Sequence, residues 1–144
     1  MKMLYILRGI PGSGKSTYGK KLVKRAIESG YTAAQYEADM FFTDQAGNYN
    51  WNPKKIGMAH QWCQNKVRTA MENHFDVVVV ANTNLAVKDV ETYKKIADEN
   101  GYEVEVMRLN GGFKNVHDVP EETLERMKTN MQDYPGELIV KDYE

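Results

Sequence analysis

Short unbroken apolar runs alternate with stretches of helical spacing along the chain, and this predicts strands alternating with helices. Residues 3–8, Met-Leu-Tyr-Ile-Leu-Arg, read as a strand buried on both faces. Gly9 to Gly14 form a loop. Lys15 to Ser29 then predict a helix, with Leu22, Val23, Ala26 and Ile27 on its apolar stripe and Gly30 as a stop. A second strand is expected over 31–37, and 38–52 reads as a loop rich in aromatic, Gly and Asn residues. Asn52-Pro53 pairs an N-cap with proline at the first helical position. The helix it starts should run to about Asn73 and bury Ile56, Ala59, Cys63, Val67 and Ala70. Val77–Val80 is the most β-like stretch, which places it at the sheet centre, and Asn82-Thr83-Asn84 ends it. A helix over about 87–99, stopped at Asn100-Gly101, and a strand over 102–109 follow. Gly111-Gly112 opens a loop. Asp118 and Glu121 resemble a capping box with Pro120 in the first turn, so a helix should start near 119 and end at Pro135-Gly136. Leu138-Ile139-Val140 supplies a last strand. This order implies an α/β fold in which a five-stranded parallel sheet carries helices on both faces.

The 144 residues suit one domain spanning 1–144, with 42% hydrophobic and 27% charged residues as in ordinary globular chains. A net charge of −1 excludes the strongly basic balance of a protein that coats nucleic acid. The single Cys63 excludes a disulfide framework and a cysteine zinc site, and it suits a reducing, cytoplasmic setting. His74 and His117 form no metal-ligand pattern with a carboxylate pair. No apolar run reaches the ~20 residues of a membrane span, and the strand-like N-terminus does not read as a signal peptide.

Gly9-Ile10-Pro11-Gly12-Ser13-Gly14-Lys15-Ser16 matches G-x-x-x-x-G-K-[ST] at every fixed position. Glycines let successive backbone N–H groups turn onto phosphate oxygens, and the following helix points its N-terminus at the same anion. Gly12, Ser13, Gly14, Lys15, Ser16 and Thr17 are therefore the candidate ATP-binding residues. Lys15 is placed to reach the β- and γ-phosphates, and the Ser16 hydroxyl to ligate Mg²⁺. The motif follows an apolar strand and opens an amphipathic helix, the context it requires. This makes the fold a P-loop NTPase of the nucleoside/nucleotide-kinase type.

GTPases carry N-K-x-D, which is absent. Val77–Val80 run into Ala81-Asn82, so no acid ends that strand as in an ATPase motor. Another group must then activate a nucleophile. Asp39, just past the second strand, is the candidate, because parallel strand ends gather beside the P-loop. A carboxylate there accepts a proton from an acceptor hydroxyl, or else it simply caps a loop.

Arg8–Thr17, Ala38-Asp39-Met-Phe-Phe42, Tyr49–Pro53, Ala59-His60, Asn82–Leu85 and Val116–Met127 recur in an order that resembles the small P-loop kinases of the phage polynucleotide 5′-kinase type and the related compact kinase-like ATP-binding domains. The resemblance covers roughly residues 3–131. It implies an ATP-dependent kinase that transfers the γ-phosphate to a hydroxyl, the 5′-OH of a nucleic acid or nucleotide, with Mg²⁺ as cofactor. It also implies that Lys15 and Ser16 hold ATP and Mg²⁺, that Asp39 is the general base, and that Asn82 and Thr83 line the acceptor side. A short lid before Val119-Pro120 would bring positive charge onto the phosphates. Relatives carry arginines there, whereas Lys114 occupies the matching stretch and Arg126 follows on the helix. Met40, Phe41 and Phe42 stand where a polynucleotide kinase places a cation after its base.

From Gln45 to Met71 there is no Asp or Glu, while Lys54, Lys55, Lys66 and Arg68 are present, a local positive field. His60, Gln64 and Arg68 share a helix face, making His60 and Arg68 candidate acceptor contacts. Tyr49 and Trp51 could stack a base. The alternative for this stretch is a solvated basic face with Trp51 and Trp62 in the core. Two other functions stay open: a small-molecule kinase, and a catalytically weak ATP-binding module acting through a partner. No membrane partner and no obligate protein partner is evident from the sequence.

Overall fold

The computed structural model describes residues 1–111 and 119–141. Five strands, β1 (Met3–Arg8), β2 (Ala33–Tyr36), β3 (Val77–Ala81), β4 (Glu103–Leu109) and β5 (Leu138–Val140), alternate with α1 (Lys15–Glu28), α2 (Ile56–Glu72), α3 (Val87–Asn100) and α4 (Glu121–Asn130). The sheet is parallel throughout, in the order β2-β3-β1-β4-β5. The central strand is therefore β1. Val77–Val80 lie one position out, yet every β3 residue is buried because the strand has neighbours on both edges.

Alternation along the strands divides the core into two layers. Leu4, Ile6, Val78 and Val80 pack against Ala59, Cys63 and Val67 of α2 and Val90, Tyr93 and Ile96 of α3. Leu7, Val79 and Met107 face the other way, onto Tyr18, Leu22, Val23 and Ala26 of α1. Helices thus cover both faces, as the order of elements requires.

Several boundaries and orientations differ from expectation. Ile27 is 56% exposed and Ile56 41% exposed, because each lies at the margin of its helix stripe. The Asn52-Pro53 start is realised as a 3₁₀ turn, Pro53–Lys55, with the Asn52 side chain accepting from the Lys54 N–H. The second strand shortens to four residues, and residues Ala38–Phe42 of the expected loop form a second 3₁₀ turn. The last helix ends at Asn130 rather than at Pro135-Gly136, because Gln132 donates its backbone N–H to the Leu85 carbonyl and leaves the helical path. Asp118, and with it the expected capping box, lies outside the described residues, as does the lid stretch around Lys114. Among the described residues no helix is long and apolar enough to cross a membrane.

Strand β1 ends in Arg8, whose side chain is fully buried. Its guanidinium donates to the carbonyls of Asn84 and Leu85 and to Glu137 Oε1 at 3.0 Å. This ties the strand that leads into the P-loop to the turn after β3 and to the turn before β5.

Candidate active site

The loop between β1 and α1 takes the conformation its glycines allow. Gly12 and Gly14 have φ of 83° and 96°, which strains any residue with a Cβ. At Gly9 a Cβ would sit 2.8 Å from the Leu109 carbonyl oxygen, so bulk is excluded there. The Gly9 N–H donates to the Thr83 carbonyl, and the Gly111 N–H donates to the Ser13 carbonyl. The loop is thereby pinned between the ends of β3 and β4. Helix α1 starts directly at Lys15, so its unpaired N–H groups and dipole add to the anion-attracting end.

Lys15 Nζ donates to the Ile10 carbonyl at 3.0 Å. Burial pushes its ammonium down to about 8, with Glu37 pulling in the opposite direction. Below pH 8 the folded and unfolded chains both carry this proton, and the full cost of desolvating it is present. Between about pH 8 and the ordinary value of 10.5, the folded state releases the proton first and the cost is relieved. Lys15→Met should therefore raise Tm at pH 7 in the absence of ligand, by a margin that shrinks as pH rises from 8 to 10. Thermal melts across that range test this, and a pH-independent difference would contradict it.

Glu37, the residue the sequence reading missed, stands at the end of β2. Ser16 Oγ donates to Glu37 Oε2 at 3.0 Å, and Gln35 Nε2 reaches the same oxygen at 3.2 Å. Burial pushes the Glu37 carboxyl up, while the Ser16 hydrogen bond and then Lys15 pull it down. A carboxylate from the end of the strand next to β3 thus stands beside Ser16. Glu37-Ala38-Asp39 is an acid pair flanking one residue at a strand end, and that spacing was the signal available in the sequence. Gly19 on α1 makes room for this arrangement: a Cβ there would lie 2.8 Å from the Gln35 side-chain amide.

Asp39 sits in the 3₁₀ turn that follows, where Tyr49 Oη donates to its Oδ1 at 2.6 Å. Burial and the Asp39 contact push the Tyr49 hydroxyl up to about 12, so it stays protonated as a donor. Asn82 is buried at the end of β3, and its Oδ1 accepts from the Ala38 N–H at 2.8 Å. Its carboxamide therefore holds the turn that carries Asp39, while its Nδ2 points to Tyr93 and Cys63. Thr83 meets the P-loop through its backbone. Asn84, at φ 46°, donates from Nδ2 to the Leu7 carbonyl.

The remaining candidates are more dispersed. His60 is exposed on α2, and Arg68 donates to Asn65 Oδ1 on the same helix. Lys66 lies over the Trp62 ring at 5.7 Å. Trp62 packs on the core, whereas Trp51 is 55% exposed, so the two tryptophans part company. Arg126 is exposed on α4, and Lys114 lies outside the described residues. No cluster of three or more His, Cys, Asp or Glu suited to a metal occurs among the described residues.

A family model described as an AAA domain, AAA_33, matches residues 4–134. The chain belongs to this family. Among curated proteins, the AAA_33 chain is 28% identical over 147 residues to human NEDD4-binding protein 2; the match takes in 96% of the chain but only 8% of that protein's length. Among solved structures, Chaetomium thermophilum Kti12 in complex with ADP-AlF3 superposes with a TM-score of 0.66 at 13% identity, covering 96% of this chain and 88% of that one. The Mycobacterium tuberculosis APS kinase CysC in complex with AMPPNP and APS superposes at 0.64 and 12% identity, covering 97% and 88%. The AAA_33 chain therefore has the kinase-like P-loop fold.

Proposed function

We propose that the chain is an ATP-dependent phosphotransferase that passes the γ-phosphate to a hydroxyl acceptor, the 5′-OH of a nucleic acid or nucleotide. The observation that carries this reading is the hydrogen bond from Ser16 to Glu37, which joins the P-loop to the strand end bearing Asp39. It brings a phosphate cradle and a candidate base to one edge of the sheet. The nucleotide-bound Kti12 and APS kinase structures share this fold and support ATP as the donor.

In this mechanism the P-loop N–H groups and Lys15 orient the triphosphate and draw charge from the γ-phosphoryl oxygens. Asp39 accepts the acceptor hydroxyl proton while Tyr49 fixes the orientation of the carboxylate through Oδ1. Asn82 holds the turn in register from below. Ser16 Oγ and Glu37 Oε2 are hard oxygen donors 3.0 Å apart beside the cradle, a set that suits Mg²⁺. Together they would hold the ion, Glu37 directly or through water, and the ion supplies neutralisation of phosphate charge.

Radiolabelled γ-phosphate ATP tested against 5′-OH DNA, 5′-OH RNA, nucleosides and nucleotides checks the reading. Label on a 5′ end supports it. Label only on another hydroxyl shifts the acceptor to a small molecule, and ATP binding with no labelled acceptor points to an ATP-binding module. Glu37→Gln keeps the shape and an acceptor oxygen for Ser16 but removes the charge. It should raise the Mg²⁺ concentration needed for half-maximal transfer by about tenfold, in line with the effect of altered metal surroundings. An unchanged Mg²⁺ titration would make Glu37 a packing residue.

A further inference from the structure

A groove of about 500 Å³ opens between the end of the Ala38–Phe42 turn and the segment leading into α2, lined by Phe41, Phe42, Asn50, Trp51, Asn52 and Lys55. We propose that this groove holds one nucleotide unit of a single-stranded nucleic acid, with its base on the Trp51 indole and its phosphate on Lys55. This rests on the acceptor reading above and specifies how that acceptor is gripped.

The groove is built rigidly on aromatic contacts. Phe41 and Phe42 meet edge-to-face at 5.4 Å, Phe41 leans on Trp62 at 6.2 Å, and Phe42 on Tyr49 at 6.4 Å. The Asn50 N–H donates to the Phe42 carbonyl, and Thr43 bridges Tyr49, which closes the intervening loop. Trp51 is thus carried by a fixed frame while more than half of its surface stays in solvent. An exposed indole on a rigid support is the platform on which bases stack.

Charge favours the same occupant. Among the described residues Asp44 is the one acid lining the groove, and its carboxylate already accepts from the Ala46 and Asn48 backbone N–H groups and from Asn48 Nδ2. Those bonds hold its carboxyl below the usual range and satisfy it within its own loop. Lys55 lines the wall and Lys54 is next to it, in a stretch from 45 to 71 without a carboxylate. Asn50 and Asn52 add amide groups suited to a base edge. The frame is also coupled to the chemistry: Tyr49, two residues before Trp51, is the residue bonded to Asp39. Tyr49 therefore links the groove wall, through Phe42, to the candidate base.

The test is equilibrium binding without ATP, read by isothermal titration calorimetry at low salt, with tryptophan fluorescence followed alongside in the wild type. Four probes are titrated: a 5′-OH oligodeoxynucleotide, the same strand with an abasic 5′-terminal residue, a free nucleoside monophosphate, and inorganic phosphate. The intact strand should quench the fluorescence and bind more tightly than the abasic strand. Trp51→Ala should weaken the intact strand by about 5- to 100-fold, the size of one lost stack, while leaving the abasic strand nearly unchanged. Trp51→Phe should recover much of the loss. Lys55→Ala should weaken both strands several-fold, an effect that fades as salt rises. A nucleoside monophosphate binding as tightly as the strand would assign the groove to free nucleotides and overturn the strand proposal. Equal affinity of wild type and Trp51→Ala for the intact strand would overturn the groove altogether, leaving the exposed aromatics as a protein-contact face.

Failure here is separable from failure of the kinase reading. Trp51-dependent binding without phosphoryl transfer retains the groove and removes the kinase. Transfer to a 5′ end with an unchanged KM in Trp51→Ala retains the kinase and removes the groove.

Discussion

Asp39→Asn is expected to lower kcat for transfer to a hydroxyl acceptor by about 10²–10⁴-fold and to leave ATP affinity nearly unchanged. The physical reason lies in the division of the site. In the proposed mechanism the P-loop and Lys15 meet the nucleotide from the β1–α1 side, whereas Asp39 arrives on a 3₁₀ turn after β2. Asparagine keeps the oxygen that Tyr49 Oη contacts, so the turn and its Thr43–Tyr49 bridge should persist. What it loses is the ability to take a proton. Isothermal titration with a non-hydrolysable ATP analogue and steady-state kinetics on the same preparation separate the two effects. A kcat within a few-fold of wild type would reduce Asp39 to a loop residue. Tyr49→Phe sharpens the result: it leaves the Asp39 carboxylate in place but removes the hydroxyl bonded to Oδ1, so a fall in kcat with ATP affinity intact would identify positioning of Asp39 as the role of Tyr49.

The second large effect concerns stability. Arg8→Met should destabilise the fold by about 3–5 kcal/mol, because it leaves the buried Glu137 carboxylate without its principal cation. Among the described residues Arg108 is the other cation near Glu137, at 3.7 Å, and it is already paired with the exposed Asp133 at 2.6 Å. The Asn84 carbonyl also loses its bond from Arg8, while the Leu85 carbonyl keeps the Gln132 N–H. Replacing both partners, as Arg8→Met with Glu137→Met, should recover much of the loss, since an apolar pair leaves no buried charge behind. Urea unfolding of the single and double variants measures both. A single substitution costing less than about 1 kcal/mol would show that the pair contributes little. Nucleotide affinity should fall with Arg8→Met as well, because Arg8 immediately precedes Gly9 and fixes the strand end from which the P-loop departs.

The sequence alone determined the elements and the phosphate loop. Continuous apolar runs such as Val77–Val80 and the periodic faces of α1 to α3 encode burial through local chemistry, so the type and order of strands and helices were legible even where their ends were not. The P-loop was legible because its glycines are needed for backbone reasons that no tertiary contact can replace, as the positive φ of Gly12 and Gly14 shows. Asp39 was legible as a candidate because a strand end in a parallel sheet has a foreseeable place.

Tertiary structure decided what depends on groups distant in the chain. Strand order put β1 rather than β3 at the centre, since order depends on the handed crossovers between strands and not on how apolar each one is. It turned Glu37 toward Ser16, a contact across 21 positions that became possible once β2 lay at the sheet edge beyond β3. It also turned Asn82 inward onto the Ala38 N–H and left Trp51 in solvent while Trp62 joined the core. A side chain's type states which bonds it can make. Only the packed fold states which partners are within reach, and that is why the acid beside Ser16 and the aromatic frame beneath the groove emerged from the structure and not from the chain.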